Sequence, residues 1–481
     1  MSKYSPGDYV RLRLAKEEID GTVLESSDSS VILLKLKSGY NIGVANEKVL
    51  AGRVLRKFVD GEKADLDKAD SVEQNQLSST SSSSKDQSSI EGDNKEGRSG
   101  SGSQDLSGDG VEERGGGNVG GVEDGGEEGG GGRAKPKIGL VMTGGTIAAK
   151  LDSRTGGVHW LTDVAEFQRF YPELFEMVEV KTISVPFMTA SESMTSEHWG
   201  KIAESVAELV NDPEIAGVVV AHGTDFLHYT AAALSFMLRD LSKPVVLTFS
   251  QRSIDRASSD ARLNLMCAAH MAVSDCAEVM LVGHAGSDDD HCLAIRGTKV
   301  RKMHTSKRDA FQPVNDEPIA RVWPEKVEFL QSYHSRSDGK TEVDKVFQDK
   351  VALVKFYPGQ DPGILDYYAL KYKGVVVEVG GLGHLPVSEA GHSWLGALKK
   401  HIRSGLVVCA AAQTLFGRLN PLVYSNGREL VDTGVIFLED MLPEVALVKL
   451  GWVLGHHGWK GRVQERMLEN VAGELNPSLK R

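Results

Sequence analysis

Cysteine is scarce in this chain of 481 residues, which contains only four, at widely spaced positions. None of them belongs to a Cys-x-x-Cys pair, and no histidine lies at the spacing of a zinc ligand. A disulfide framework and a structural zinc site are therefore not indicated, and we predict reduced, buried thiols with no disulfide and no structural metal. The four residues are Cys267, Cys276, Cys292 and Cys409.

Long apolar runs are also missing. No run of about eighteen apolar residues, the length that a membrane span requires, occurs in the sequence. The first ten residues, MSKYSPGDYV, lack the hydrophobic segment of a signal peptide. Neither export nor membrane insertion is indicated, so we expect a cytoplasmic protein with no membrane partner.

A nucleotide-binding loop is the third absence. The pattern GxxxxGK[ST] does not occur, and the glycine-rich segment Thr143-Gly144-Gly145-Thr146 lacks the lysine of such a loop. A dinucleotide site would need an acidic residue at the end of the next strand, about twenty residues further on, and none is placed there convincingly. We therefore expect this chain to bind no nucleotide cofactor.

The formal net charge of −12 is unevenly spread. Residues 61–133 hold 17 acidic and 7 basic residues, so they account for −10 of the −12. The same segment is poor in apolar residues and rich in serine and glycine, and such a composition cannot bury enough apolar surface to offset the entropy of ordering. We predict a disordered acidic linker over 61–133, and the rest of the chain is close to neutral.

Residues 1–60 alternate apolar and polar side chains in short stretches with turn signals between them. The strand-like stretches are YVRL, GTVL, VILLKL and YNIGV, and the turn Pro6-Gly7-Asp8 precedes the first. Short strands at this spacing predict a small all-β domain, an SH3-like antiparallel barrel. Such modules usually bind a partner, but the sequence does not say which one.

Residues 134–325 and 346–481 have a different pattern, in which buried strands alternate with helices. Runs such as KIGLVM, IAGVVVA and PVVLTF, and later VALVKF, GVVVEV and GLVVCAA, are separated by segments of helical length. Helices are predicted over 196–210 and 229–241. The alternation predicts an α/β fold with two domains, each a mostly parallel sheet with helices on both faces.

Two of these strands end in residues that suit catalysis. Residues 137–142 lead into Thr143-Gly144-Gly145-Thr146, and residues 215–221 lead into His222-Gly223-Thr224-Asp225. Adjacent glycines let the backbone turn and point amides at an oxyanion, while the threonines add hydroxyls. A lone Gly-Gly-Thr could be an ordinary turn. Two such strand ends together predict one site at the carboxyl edge of a parallel sheet.

The two segments resemble the signatures TGGTIA and HGTDT of the asparaginase-like amidohydrolases. That resemblance implies an α/β fold and hydrolysis of a side-chain amide, with Thr146 as the nucleophile. It also implies an assisting set formed by Thr224, Asp225 and a lysine. The segment RGTKVRKMHT (296–305) resembles the stretch of this family in which a lysine precedes one residue and then Asn-Thr or His-Thr, and the resemblance points to Lys302. A lysine amine beside a threonine hydroxyl can accept its proton. The alternative is that Lys302 belongs to a solvated basic patch.

Substrate-binding residues also follow from the resemblance. Ser191 and Glu192 are expected to hold the α-carboxylate and α-ammonium groups, together with Gly223 and the carboxylate of Asp225. Glu192 replaces the glutamine of many asparaginases, so a preference for glutamine or asparagine stays open. Phe226 replaces the final threonine of HGTDT, which affects the shape of the pocket more than its chemistry.

A glycine-rich loop follows the nucleophile over residues 152–160. In the asparaginase-like family the corresponding loop is a mobile lid that often carries a tyrosine. No tyrosine lies between Ala148 and Phe170, and Thr155 is the nearest candidate hydroxyl.

Longer stretches narrow the resemblance to one family. The segments HGTDFLHYTAAALSFML, SQRSIDRASSDARLNL and NPLVYSNGRELVDTGVI, and the start YSPGDYVRLRL, resemble the GatD family of archaeal glutamyl-tRNA(Gln) amidotransferases over residues 1–60 and 134–481. The resemblance implies release of ammonia from glutamine for a partner protein of the GatE type. That partner would use ATP and Mg²⁺ to amidate the glutamate on tRNA(Gln), and it would make most of the tRNA contacts. A homodimer within a larger assembly is also implied.

Two alternatives remain open at this point. A stand-alone L-asparaginase would turn over asparagine rapidly without a partner or tRNA. A binding protein that has kept the fold and lost the chemistry would tolerate replacement of Thr146 by alanine.

Overall fold

The computed structural model describes residues 4–15, 18–26, 30–36, 41–57, 134–151, 158–160, 164–254, 258–388 and 392–478. The predicted linker over 61–133 lies outside these residues. The domain boundaries that we drew from composition stay predictions, and the sheets below are described by their own strands.

The amino-terminal region is a five-stranded antiparallel sheet, which confirms the predicted all-β character. Its strands follow the order β4-β3-β2-β1-β5, so β1 pairs with both β2 and β5. Val10, Leu12 and Leu34 are fully buried because alternate side chains of each strand point to the same face. The strands are β1 (Tyr9–Arg13), β2 (Glu18–Val23), β3 (Val31–Leu36), β4 (Asn41–Ala45) and β5 (Ala51–Arg56).

The largest sheet has eight strands, five of them parallel to one another. Its order is β18-β17-β14-β13-β12-β10-β6-β9; the pairings from β13 to β9 are parallel, and the pairings β13–β14, β14–β17 and β17–β18 are antiparallel. The prediction of a mostly parallel sheet is therefore confirmed. Its strands are β6 (Lys137–Met142), β9 (Glu179–Ser184), β10 (Ile215–Ala221), β12 (Val245–Thr248), β13 (Val279–His284), β14 (Cys292–Arg296), β17 (Ala320–Val322) and β18 (Val327–Phe329).

Three short two-stranded pairs accompany this sheet. The pairs are β7 (Ala149–Leu151) with β8 (Val158–Trp160), β11 (Leu238–Arg239) with β19 (Glu342–Val343), and β15 (Val300–Lys302) with β16 (Phe311–Pro313). The pair β15–β16 matters for function because β15 ends at Lys302.

Helices cover both faces of the eight-stranded sheet. Val218 and Val220 of β10 pack on the side of α3 and α4, whereas Val219 packs on the side of α1, α2 and α5, as the two-residue period of a strand requires. The predicted helix over 196–210 is confirmed; the next helix ends at Met237 rather than 241, because Leu238 begins a strand. These helices are α1 (Val164–Phe170), α2 (Pro172–Met177), α3 (Ser196–Val210), α4 (Leu227–Met237) and α5 (Ala261–Ala272).

The carboxyl-terminal region is a second α/β unit around a four-stranded parallel sheet. The sheet runs β20 (Val351–Lys355), β21 (Gly374–Val379), β22 (Val407–Ala412) and β23 (Ile436–Phe437) in chain order. Its helices are α6 (Ile364–Lys371), α7 (Leu395–Arg403), α8 (Ser425–Val431), α9 (Pro443–Gly455) and α10 (Val463–Leu468).

Helix α9 joins the two α/β units. Val445, Val448 and Leu450 of this helix are buried in the same hydrophobic cluster as α3 and α4, and Trp452 stacks on Phe236 with ring centroids 5.8 Å apart. Each buried Val or Leu side chain contributes about 1.5–3 kcal/mol of transfer free energy. The two units therefore share one core.

All four cysteines are free and buried, as predicted. Burial raises the pKa of Cys276 and that of Cys409 to about 12, so both thiols are protonated at neutral pH. Within the described ranges, no helix has the length and apolar character needed to span a membrane.

Candidate active site

The loop after β6 is built from glycines that no other residue could replace. Gly144 and Gly145 have φ angles of +124° and +89°. A Cβ on Gly144 would lie 2.4 Å from the carbonyl oxygen of Thr189, and a Cβ on Gly145 would lie 2.5 Å from the amide nitrogen of Gly223. The loop after β6 is thereby packed directly against the loop after β10.

The two threonines of this loop have different environments. Thr143 is fully buried, and both its amide and its hydroxyl donate to the carbonyl oxygen of Ala221, at 3.1 and 3.0 Å. It therefore holds the turn. Thr146 begins a short 3-10 turn and is half-buried, next to the Gly145 backbone that touches Gly223. Its neighbour across the loops is the segment that carries Thr224.

Lys302 lies beside Thr224 and Asp225. Its Nζ donates to Thr224 Oγ1 at 2.8 Å and to Asp225 Oδ1 at 2.7 Å. The lysine side chain is 10% exposed, whereas that of Asp225 is 63% exposed. The structure thus brings Lys302 together with the two residues named from the HGTD segment, at an edge that solvent reaches.

Ser191 lies at the same edge, in the connection that follows β9. Its Oγ accepts a hydrogen bond from the amide of Phe226 at 3.3 Å, and it lies against Gly223. Glu192 is the next residue of the same 3-10 turn and is exposed. The predicted site residues therefore come from the loops after β9, β6 and β10, which are adjacent parallel strands, and from β15.

His222 is a positioning residue whose role the sequence alone does not indicate. It is fully buried, its Nδ1 lies 2.7 Å from the carbonyl oxygen of Gly223, and its Nε2 lies 2.9 Å from Thr230 Oγ1. The carbonyl can only accept, so Nδ1 carries the proton and Nε2 accepts from the threonine hydroxyl. Burial lowers the pKa of His222 to about 4, and the imidazole is neutral at pH 7. Its position as the first residue of HGTD is the only sequence signal.

Tyr171 is a second supporting residue that the sequence did not reveal. Its hydroxyl donates to the carbonyl oxygen of Ile147 at 3.1 Å, directly after Thr146. Burial, with a smaller effect from the charge of Asp260, raises its pKa far above the ordinary value, so it stays a neutral donor. Tyr171 comes from the start of α2 and not from the lid. Residues 152–157 lie outside the described ranges, and with them Thr155.

His228 follows the His222–Asp225 segment and lies at the start of α4. Burial first, and the nearby charges of Arg301 and Lys302 second, lower its pKa to about 3, so this ring is also uncharged. Among the residues that the structure describes, no group of three or more His, Cys, Asp or Glu side chains could hold a metal ion.

Comparison with known proteins agrees with this arrangement. The chain matches the families described as "GatD N-terminal domain" over residues 4–54, "Asparaginase, N-terminal" over 137–334 and "Glutaminase/Asparaginase C-terminal domain" over 350–467. The glutamyl-tRNA(Gln) amidotransferase GatD protein of Pyrococcus furiosus is 41% identical over 488 residues, which cover 98% of this chain and 95% of that protein. The chain belongs to the GatD family of glutamyl-tRNA(Gln) amidotransferases. The family member from Thermococcus kodakarensis is 51% identical over 345 residues, 71% of this chain and 77% of that one.

Solved structures extend the comparison to free-standing enzymes. The thermostable L-asparaginase from Thermococcus kodakarensis is 30% identical with a TM-score of 0.63, and L-asparaginase I from Vibrio cholerae is 28% identical with a TM-score of 0.62. Each match covers 71% of this chain and 100% of the asparaginase. The GatD family thus combines an asparaginase-like fold with an added amino-terminal domain, and both the fold and the resemblance that the sequence predicted are confirmed.

Proposed function

We propose that this chain is the glutaminase component of a tRNA-dependent amidotransferase. It hydrolyses the side-chain amide of glutamine and supplies the ammonia that a partner protein uses to convert glutamate on tRNA(Gln) into glutamine. The observation that carries the proposal is the contact of the Lys302 amine with Thr224 and Asp225, beside the loop that presents Thr146.

The reaction begins at the hydroxyl of Thr146. This oxygen attacks the amide carbon of glutamine, and the resulting oxyanion is stabilised by backbone amides of the two glycine-containing loops. Ammonia leaves after protonation of the amide nitrogen, and an ester between the glutamyl group and Thr146 remains. Water then hydrolyses the ester, which releases glutamate and restores the threonine.

Thr224 and Lys302 handle the proton. The hydroxyl of Thr224 lies 2.8 Å from the lysine amine. Thr224 can receive the proton of Thr146 while it passes its own proton to the lysine nitrogen, and the reverse transfer then delivers a proton to the amide nitrogen that leaves as ammonia. The carboxylate of Asp225 fixes the amine from the other side at 2.7 Å. His222 stays neutral and holds the Gly223 carbonyl, which keeps the loop in place.

Charges at the open side of the site select the substrate. The exposed carboxylates of Asp225 and Glu192 attract an α-ammonium group, and the Ser191 hydroxyl and the Gly223 backbone receive the α-carboxylate. Both ends of a free α-amino acid are recognised in this way. These contacts do not recognise the length of the substrate's side chain, so asparagine is a second candidate substrate.

The partner and the assembly complete the proposal. ATP and Mg²⁺ serve the step catalysed by a GatE-type partner, which also makes most of the contacts with glutamylated tRNA(Gln), and this chain carries no cofactor. A homodimer is supported by a group of exposed apolar side chains in the carboxyl-terminal unit. They are Leu415, Phe416, Leu422, Val423 and Tyr424.

The test compares glutamine hydrolysis by the wild-type chain and by Thr146→Ala, alone and with the GatE-type partner. We expect the alanine variant to lose activity by a factor on the order of 10³ or more, because the nucleophile is gone, and Thr146→Ser to retain part of it. Full activity in folded Thr146→Ala would rule out this mechanism.

A stand-alone L-asparaginase is the second candidate, and the similarity to two L-asparaginases favours keeping it. The same assay separates the two functions. Rapid hydrolysis of asparagine without partner or tRNA supports the asparaginase, whereas glutaminase activity that rises when the partner and glutamylated tRNA are added supports the amidotransferase component.

A further inference from the structure

The segment that delivers Lys302 is held from outside the nucleophile-bearing unit. Residues 297–299 form a turn after β14, and the short strand β15 (Val300–Lys302) follows it. Lys302 faces Thr224 and Asp225. The side chains of Thr298, Lys299 and Arg301 instead bond to the carboxyl-terminal part of the chain.

The strongest of these bonds is a buried ion pair. Lys299 Nζ donates to Asp440 Oδ2 at 2.7 Å, and the two side chains are 0% and 2% exposed. Removing one partner of such a pair leaves the other charge buried without compensation, which costs far more than the loss of a surface contact. The position of Lys299 is therefore set by the position of the Asp440 carboxylate.

Asp440 is itself fixed on its remaining sides. Its Oδ1 accepts from the amide of Asn476 at 3.0 Å, and its Oδ2 accepts from the side-chain amide of the same residue at 2.8 Å. Asn315, which follows β16, donates to the carbonyl oxygen of Asp440 at 3.1 Å. The carboxylate is thus clamped between the end of the chain and the hairpin that carries Lys302.

Two weaker contacts act in the same direction. Thr298 Oγ1 donates to the carbonyl oxygen of Ala472 at 2.9 Å, and Arg301 pairs with Glu444 of α9 at 2.9 Å. Gly297, just before them, packs on α4, where a Cβ would lie 2.7 Å from Ser235 Oγ. The segment consequently has little freedom to shift as a whole.

We propose that Asp440, acting through Lys299, is a positioning residue that sets the location of the Lys302 amine. Lys299 is the last residue of the turn before β15, and the strand that follows it reaches Lys302 within about 10 Å and is paired with β16 throughout. A displacement of Lys299 is transmitted along this paired strand to Lys302. The catalytic consequence rests on the proposed function.

A second buried ion pair supplies the matched control. Lys449 Nζ donates to Glu474 Oε1 at 2.5 Å, and both side chains are fully buried. Lys449 also donates to the carbonyl oxygen of Met467 and makes no direct bond to residues 298–302 in the described structure. Glu474 accepts from the amides of Val471 and Ala472 as well, and Lys449→Met leaves these bonds, and with them the Ala472 carbonyl that receives Thr298, in place. Loss of this pair should destabilise the fold about as much as loss of the first, without moving Lys302.

The experiment measures kcat and KM for glutamine with the full chain and its GatE-type partner, for Asp440→Asn, Lys299→Met, Lys299→Arg and Lys449→Met. We expect Asp440→Asn and Lys299→Met to lower kcat about 10- to 100-fold, because small misplacements of a catalytic group have effects of this size. KM should change by less than about threefold, since no substrate contact is removed. Lys299→Arg, which keeps the charge, should recover part of kcat, and Lys449→Met should lower the melting temperature while folded enzyme keeps its kcat.

A second readout does not depend on activity. The rate at which an amine-reactive reagent modifies Lys302, relative to the exposed Lys307, is measured against pH by peptide mass spectrometry in wild type, Asp440→Asn and Lys449→Met. We expect the pH dependence of the modification rate of Lys302 to differ from that of wild type in Asp440→Asn but not in Lys449→Met. An unchanged profile, an unchanged kcat in folded Asp440→Asn, or an equal loss in Lys449→Met would overturn the positioning role. A wild-type chain that hydrolyses no glutamine overturns the proposed function instead, and the labelling result still decides the role of Asp440.

Discussion

The two α/β units use the carboxyl ends of their parallel strands differently. In the eight-stranded sheet, β6 and β10 end in glycine-containing loops that leave Thr146 and Thr224 half-buried, and Thr224 lies beside Lys302. In the four-stranded sheet, β20 ends at Lys355 and β21 carries Glu378 one residue before its end, and the two side chains pair at 3.5 Å.

Hydrogen bonds close the second edge further. Gln413, which follows β22, donates through its amide nitrogen to the carbonyl oxygen of Val379 at 3.0 Å and through its side chain to that of Phe356 at 2.6 Å. These polar groups at the carboxyl edge of the four-stranded sheet thus bond to other groups of the same edge. The carboxyl edge of a parallel sheet offers a location for a site, and only accessible hydroxyls beside a charged group make it chemically useful.

Among the variants at the two sheet edges, replacement of Lys302 should have the largest effect on the activity. We expect Lys302→Met to lower kcat for glutamine by a factor on the order of 10³, because the proton acceptor and the partner of Thr224 are both lost. Steady-state kinetics check this. The control is Lys307→Met in the same basic segment, which should stay near wild type; equal losses in both variants would favour a general electrostatic effect of the patch.

Two glycines with similar φ angles, one after β6 and one after β20, allow a second comparison of the two edges. Gly145 and Gly359 have φ of +89° and +85°, but a Cβ would clash with Gly223 at the first and meets nothing within 4 Å at the second. Gly145→Ala should lower kcat about 100-fold by separating the loops that carry Thr146 and Thr224. Gly359→Ala should cost only about 1–2 kcal/mol of stability and leave kcat unchanged. Comparable activity of the two variants would show that the loop contact is dispensable.

The buried histidine of the first edge predicts a pH dependence of stability. Burial lowers the pKa of His222 to about 4, below the ordinary 6.5 that it regains on unfolding. Between these values the unfolded chain binds the extra proton, so stability is complete above pH 6.5 and falls as the pH drops towards 4. The loss is about 3 kcal/mol.

Urea denaturation at several pH values tests this. His222→Asn should weaken the acid dependence of the free energy of unfolding by about 1.4 kcal/mol per pH unit in this window, while the exposed His457→Asn should not. His228, whose pKa is about 3, adds to the wild-type dependence and is present in both variants. Identical slopes for wild type and His222→Asn would contradict the assignment of a neutral His222.

The sequence alone predicts the positions of those site residues that directly follow a recognisable strand. Thr146, Thr224 and Asp225 follow directly from buried strands, and parallel strands bring their ends together. Lys302 could be named only through family resemblance, because β15 is three residues long and lies in a basic segment that reads equally well as surface.

Contacts between distant parts of the chain could not be predicted. Lys299 and Asp440 are 141 residues apart, and no local pattern links them. The antiparallel strands β17 and β18 have three residues each within a polar stretch, too few for a periodic signal. Tyr171 lies at the start of α2 and outside the 152–160 loop, where the family resemblance places a tyrosine, so no local signal points to it.

Replacement of Lys355, at the carboxyl edge of the four-stranded sheet, should have the smallest effect on stability and activity. Lys355 is 68% exposed, so its pair with Glu378 is largely screened by water and contributes less than about 1 kcal/mol. Lys355→Met should therefore shift the urea midpoint only slightly and leave kcat and KM for glutamine at their wild-type values, since neither residue contacts the proposed reacting groups. Kinetics and denaturation of the same preparation check both points. A loss of activity as large as that of Lys302→Met would mean that the second edge also takes part in the reaction, and the distinction between an open and a closed edge would fail.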